Sequence, residues 1–362
     1  VNLASVAASE AMTRLASFQT IIDARSPAEF AEDHLPGAVN WPVLDNDERR
    51  VVGTEYVQVS AFDARKHGAA IVAKRIGELL EAHVQDKPHA WSPLVYCWRG
   101  GQRSGTLAWF LAQIGFRTTV LKGGYKAFRE QVREQLGMLP LQFDYVVIAG
   151  RTGSGKTRLL HALAGVGAQV LDLEGLARHR GSVLGGLPHE LQPTQKAFET
   201  QVWTALSALD PSRPVYVESE SRKIGQLQVP TALLDRMRSD SRVVMVTMPD
   251  AARIQLLLEE YGFFADQLER FCGHLDTLVE MRGRTTVKQW QALAREGHWA
   301  EVFGELMRDH YDPLYLKSIR NNYAQVGAAQ SLPLRDGSAA ALREAAARLL
   351  TEQAGATAIE HR

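Results

Sequence analysis

The 362-residue sequence has only two cysteines, Cys97 and Cys272, in unlike surroundings. Two such thiols make no disulfide framework and suit a reducing compartment. Metal-binding spacings of the C-x-x-C or H-E-x-x-H kind are absent. Net charge is absent too: 41 Lys and Arg balance 41 Asp and Glu, so a polyanion must be held by a local patch, not by a global field. No run of about 18 apolar residues could cross a bilayer, and Val1 to Thr20 lacks a basic stretch followed by an apolar core. These absences predict a cytoplasmic protein with no membrane partner. There is no internal repeat or low-complexity tract. What remains is an ordinary globular composition, 45% apolar and 23% charged, long enough for two domains that each bury a core.

The most specific feature is Gly150-Arg151-Thr152-Gly153-Ser154-Gly155-Lys156-Thr157, which follows the apolar run Tyr145 to Ala149 and leads into a helix-like segment. The spacing G-x-x-x-x-G-K-[ST] turns backbone N–H groups toward a phosphate, lets Lys156 reach its oxygens and offers the Thr157 hydroxyl to Mg²⁺. The helix N-terminus adds partial positive charge. This loop predicts diphosphate binding without naming the diphosphate. Three carboxylates end nearby strands: Glu218 where a Walker-B acid would lie, and Asp172 and Glu174 after Gln169-Val170-Leu171. They suit metal or water positioning, with helix N-capping as the competing reading.

The second loop is Cys97-Trp98-Arg99-Gly100-Gly101-Gln102-Arg103, between the strand Pro93 to Tyr96 and the helix Ser104 to Ile114. The helix dipole, Arg99 and Arg103 favour negative charge at the sulfur, and the two glycines free backbone N–H groups to face an oxyanion. A buried structural cysteine is the bland alternative. Cys272 has no comparable loop and reads as a core or surface thiol.

Elsewhere, Ser26-Pro27-x-Glu29 reads as a capped helix start and Gly68 to Val84 as a helix. Short β-branched strands alternate with helices in both halves, which predicts parallel sheets with ligands at the strand C-termini. The division is an N-terminal α/β domain over 1–130, a linker over 131–142 marked by Gly137 and Pro140, and an α/β domain over 143–362 that is mostly helical beyond Pro249. Gly181 to Pro193 reads as a long functional loop.

Asp23-Ala24-Arg25-Ser26-Pro27-x-Glu29-Phe30, His34-x-Pro36-Gly37-Ala38-x-Asn40 and the Cys97 loop resemble the rhodanese family over about residues 5–130. Arg103 stands six residues after the cysteine, whereas the usual single-domain rhodanese loop places arginine five after; six is the spacing of dual-specificity phosphatases. Sulfur-group transfer and phosphate-ester hydrolysis both remain open from this loop alone. The rhodanese-like and phosphate-loop pairing resembles the tRNA 2-selenouridine synthase family, with further matches at Asp172 to Ala177, His179 to Ser182 and Glu218 to Gly225.

That resemblance implies two steps on a tRNA with a 2-thiouridine wobble base. Geranyl diphosphate alkylates the sulfur, and selenium from selenophosphate then displaces the S-geranyl group. It implies a role for Lys156 and the phosphate loop in the first step, and for Cys97, Arg99 and Arg103 in the second. No tightly bound cofactor is implied beyond Mg²⁺ through Thr157. tRNA contact would fall to Arg178, His179, Arg180, Arg222, Lys223, Arg282, Arg284 and Lys288, with Trp98 stacking on a base; solvated helix faces are the competing reading. The alternatives are a cysteine-dependent phosphatase or sulfurtransferase fused to a P-loop NTPase, and a non-catalytic nucleotide sensor.

Overall fold

A computed structural model describes residues 3–188 and 190–360, with side chains only to 352. The chain divides into two compact units, one of residues 1–135 with 193–204 and one of 136–192 with 205–362.

The first unit is a parallel sheet of β1 (Ala4–Val6), β2 (Thr20–Asp23), β3 (Ala38–Asn40), β4 (Pro93–Tyr96) and β5 (Thr119–Leu121), in the order β1-β5-β4-β2-β3. β4 is central and buried at every residue, so the loop after it emerges at the middle of the sheet's C-terminal edge. Helix Pro27–Glu32 begins with the expected capping box of Ser26 and Glu29. The helix expected from Gly68 starts earlier and runs Ala61–His83. It is preceded by a helix unread from the sequence, Asn46–Gln58, although Asp45 and Glu48 form a capping box that signals its start.

Arg25 and Asp23 form a fully buried ion pair, with Nη2 2.6 Å from Oδ2. Arg25 also donates to the Asp33 carbonyl and lies 3.9 Å from the Tyr125 ring centroid. Asp33 accepts from Tyr125 and Thr200, each at 2.9 Å, so the segment 193–204 joins this polar core.

The second unit contains β6 (Tyr145–Gly150), β7 (Gln169–Leu171), β8 (Val215–Glu218), β9 (Lys223–Ile224), β10 (Leu227–Gln228), β11 (Ser241–Thr247) and β12 (Gln330–Pro333). Five of these strands form a parallel sheet, β12-β11-β6-β8-β7, while β9 and β10 pair as a hairpin. Here β6 is central and carries the phosphate loop at its C-terminal end, where open α/β sheets place ligands. Helices from Asp250 onward build an aromatic core around Phe264, Phe271, Trp290 and Phe303. Cys272 is buried in this unit, and burial pushes its thiol up.

Both parallel sheets match the expected α/β architecture. The expected linker contains the boundary between the units but is not an irregular segment: residues 131–138 complete the helix Gly124–Met138, and Leu139–Gln142 form a 3-10 turn. Phe128, Val132 and Leu136 are buried at fourfold spacing, so the segment packs along one helix face and Gly137 does not break it. Gly181 to Pro193 carries no regular element apart from the flanking bridge between His179 and Gly186; residue 189 lies outside the described residues. Among the described residues no helix is long and apolar enough to cross a membrane.

Asp23→Ala would leave the Arg25 guanidinium buried without its carboxylate, so the first unit is expected to lose about 3–5 kcal/mol of stability. Urea denaturation followed by circular dichroism checks this; a change below about 1 kcal/mol would show that the pair does not hold the framework.

Candidate functional site

The phosphate loop turns out of β6 through Gly153 and Gly155, both at positive φ, into helix Lys156–Gly165. A Cβ at Gly150 would lie 2.5 Å from the Ser154 Oγ and 2.9 Å from the Val246 carbonyl, so that position requires glycine. The Lys156 ammonium donates to the Gly150 carbonyl at 3.0 Å, and the Gly150 N–H donates to the Tyr315 hydroxyl at 2.7 Å.

A buttress that the sequence did not reveal holds the loop from behind. Buried Arg253 donates to the Thr152 carbonyl from Nε and Nη2, at 2.9 and 2.7 Å, and binds both oxygens of Asp312 at 2.6 and 2.9 Å. Arg151 reaches the same Asp312 at 3.1 Å. Asp312 follows directly on a π-helical turn, Leu306–Tyr311, an irregularity that often marks functional sites.

In front of the loop stand three carboxylates, Glu174, Glu218 and Glu220, each with an oxygen within 4.8 Å of the others. Glu218 is fully buried, Thr157 is its nearest hydroxyl donor, and among the described residues neither of its oxygens has a partner at full hydrogen-bond geometry. Thr157 donates to Glu174 at 3.3 Å. Burial and mutual repulsion raise all three carboxyls: Glu174 well above its ordinary value, Glu218 upward through burial, and Glu220 to about 8 through burial and the Glu218 charge. Burial pulls against the Lys156 ammonium, but Tyr315 and the three glutamates hold it above its ordinary value. Asp172 is placed differently: it caps helix Leu173–Ala177 by accepting from the Gly175 N–H at 2.7 Å, and it pairs with His161 at 2.8 Å. N-capping therefore describes Asp172, while Glu218 and Glu174 face the loop. Glu220 was missed, yet Glu218-x-Glu220 continues the strand's period of two, which was its available signal.

Lys156, Thr157, Asp172, Glu174 and Glu220 line a cavity of about 790 Å³, with Glu218 buried behind it. Part of its lining is apolar and aromatic, with Tyr261, Tyr311, Leu314, Tyr315, Ile319 and Tyr323. The Lys156 ammonium lies 5.4 Å from the Tyr315 ring centroid.

In the first unit Cys97 is buried at the end of β4, and Ser104 donates to its Sγ at 3.1 Å. Gly100 and Gly124 are at positive φ and permit a tight crossing: a Cβ on Gly124 would lie 2.2 Å from the Cys97 carbonyl. Arg103 forks onto Glu29 at 2.7 and 3.3 Å, which ties the cysteine loop to the Ser26 capping box. Burial opposes ionisation of Glu29, but Arg103 and Arg49 keep its carboxyl below the usual range. Arg99 is exposed, and Trp98 is half-buried, 5.4 Å from the Tyr125 ring centroid. Cys97, Trp98, Arg99 and Arg103 line a second cavity of about 480 Å³.

The remaining basic candidates sit in different environments. Arg180 and His179 line the phosphate-loop cavity; Arg180 donates to the Glu260 carbonyl at 2.7 Å. Arg282 is engaged by His310 at 3.0 Å. Arg178, Arg222, Lys223, Arg284 and Lys288 are exposed.

Residues 143–284 match the family described as the tRNA 2-selenouridine synthase AAA domain, and residues 7–131 match the rhodanese-like domain. Relatives named tRNA 2-selenouridine synthase share 37% identity in Nitrosomonas europaea, over 67% of this chain and 63% of that protein. The Sulfurovum relative shares 36%, over 71% and 70% of the two chains. The relative from Bdellovibrio bacteriovorus shares 36%, over 84% of this chain and 90% of its own length. With both halves matched and relatives of this identity aligned over most of its length, the chain belongs to the tRNA 2-selenouridine synthase family.

Proposed function

We propose that this chain is a tRNA-modifying transferase that acts twice on one 2-thiouridine wobble base, first geranylating the sulfur and then replacing S-geranyl with selenium. One observation carries the reading: a chain of this family holds two anion cradles, each at the C-terminal end of a central parallel strand.

In the first step the thiocarbonyl sulfur attacks C1 of geranyl diphosphate, the C–O bond breaks with its electron pair leaving on diphosphate, and the base loses its N3 proton. Lys156 and the amides of Arg151 to Thr157 stabilise the leaving anion. The prenyl chain would lie along Leu314, Tyr315 and Ile319, in the same cavity. Glu174, Glu218, Glu220 and Thr157 form an all-oxygen donor set, and the unpartnered oxygens of buried Glu218 fit a hard divalent ion such as Mg²⁺. Such an ion supplies charge neutralisation to the diphosphate.

In the second step selenophosphate is the donor, Arg99 and the loop amides bind its phosphate oxygens, and Cys97 holds the selenium-bearing group in place. Arg103, already forked onto Glu29, fixes the loop and shares its remaining donors with the anion. Cytoplasmic reduction keeps Cys97 and Cys272 as thiols.

Cys97→Ala is expected to leave geranylated tRNA accumulating while selenation stops, and Lys156→Ala to slow geranylation by roughly 10²–10³-fold. Mass spectrometry of nucleosides from 2-thiouridine tRNA treated with both donors reads both outcomes. Equal loss of both steps in Cys97→Ala, or normal alkylation by Lys156→Ala, would sink this division of labour. Brisk turnover of ATP and aryl phosphates with neglect of prenyl donors would favour the phosphatase–NTPase alternative.

The raised carboxyls give a second test. Glu220 keeps its proton to about pH 8 in the folded chain, whereas an unfolded glutamate releases it near 4.5. The native state therefore holds the extra proton across that window, and cation-free stability falls as pH rises through it. Excess Mg²⁺ should abolish the fall, and Glu220→Gln should flatten it. Scanning calorimetry from about pH 5 to about pH 8.5 checks this; a flat cation-free profile would contradict the clustered, protonated carboxyls.

A further inference from the structure

We propose that the cavity beside Cys97 seats the geranyl chain of the S-geranylated base while selenium replaces its sulfur. This rests on the two-step reading above and adds a binding site to it.

The cavity has two unlike sides. One is the cysteine loop with Arg99 and Arg103; the other is Leu44 with Val52, Tyr56, Ala64, Gly68 and Val72. All of these except Leu44 belong to the helix pair Asn46–Gln58 and Ala61–His83. Only the shorter member is poorly explained by folding alone, since the longer helix buries Ala64, Gly68, Val72, Ile76 and Leu79. The shorter helix has no fully buried residue, and Tyr56, Val57, Val59 and Phe62 remain exposed beside it. At Gly68 a Cβ would come within 3.1 Å of a Val52 methyl, so glycine there lets the two helices close on the space.

Selenophosphate is a small, strongly hydrated anion, and an apolar wall offers it only a desolvation cost. The cationic rim of Arg65, Arg99 and Arg103 suits such an anion or an RNA phosphate; the apolar wall suits something else. The substrate of this step carries a ten-carbon hydrocarbon on the atom being expelled. When C2 of the base sits at the Cys97 loop, that chain must lie within a few bond lengths of the sulfur, where the apolar wall stands. At about 480 Å³ the cavity falls in the range of small-ligand pockets.

The exchange balances without an oxidant. Selenium of selenophosphate attacks C2, a C–Se bond forms, and the C2–S bond breaks with its electron pair on geranyl thiolate, which takes a proton from water. Hydrolysis of the P–Se bond then releases phosphate and leaves the selenocarbonyl base. The geranyl group thus serves as leaving group and as handle, and the enzyme selects an alkylated base over a bare one.

The test uses the full chain, selenophosphate and synthetic anticodon stem-loops carrying S-methyl- or S-geranyl-2-thiouridine, with selenouridine read by mass spectrometry. The wild type should prefer the geranyl substrate in kcat/KM by at least about tenfold, the effect of a modest apolar contact. Ala69 is exposed and lines the cavity, so Ala69→Trp fills the space without disturbing the core. It should reduce the geranyl-to-methyl ratio about tenfold, chiefly through KM. Ala69→Ser, of nearly unchanged size, should keep the ratio. Equal kcat/KM for the two substrates in the wild type, or an unchanged ratio in Ala69→Trp, overturns the cavity assignment while the two-step reading stands. Failure to selenate either S-alkyl substrate overturns both.

Discussion

The second unit is organised around one electrostatic arrangement, a half-buried lysine ammonium facing three carboxylates at the mouth of a phosphate loop. Lys156 faces Glu174, Glu218 and Glu220, and the carboxyls are pushed toward their neutral forms because burial and mutual repulsion outweigh a single positive charge. On the proposed reading, a divalent cation for the acids and a diphosphate for the lysine would restore the balance. The fold supplies what this arrangement needs. β6 delivers the loop at the sheet's centre, and Arg253 with Asp312 keeps the loop backbone in place when its anion leaves.

The first unit answers a different demand with the same geometry. Its loop also leaves a central parallel strand, but the charges behind it are satisfied within the protein. Asp23 neutralises Arg25, and Glu29 takes Arg103. These pairs make a stiff frame, and the exposed Arg99 is left for an incoming anion. The site beside Cys97 is therefore half apolar and framed by satisfied ion pairs, whereas the site around Lys156 is crowded with charge. The proposed two-step reading would use that contrast, with diphosphate expelled at one site and a hydrocarbon thiolate at the other.

Much of this was legible in the residues. The Gly150 to Thr157 spacing, the Ser26 capping box and the Cys97 loop each rest on local rules, so their elements stand where the chain predicts them. What escaped reading was non-local. Arg253, Asp312 and Tyr315 reach the phosphate loop from helices with no motif of their own, and only tertiary packing brings them there. β1 is three residues long and β12 ends in proline, and both lie at sheet edges where patterning is weakest. The segment 131–142 holds the boundary between the units, yet it is helical to Met138, because Phe128, Val132 and Leu136 bury one face across it.

The central claim is that prenylation is an obligatory stage on the way to selenium. It is tested most directly by incubating the full chain with a 2-thiouridine stem-loop and selenophosphate, with and without geranyl diphosphate, and following the nucleosides in time by mass spectrometry. The account predicts selenouridine only when geranyl diphosphate is present, preceded by a rise and fall of S-geranyl-2-thiouridine. Selenouridine formed at an equal rate without the prenyl donor would contradict it.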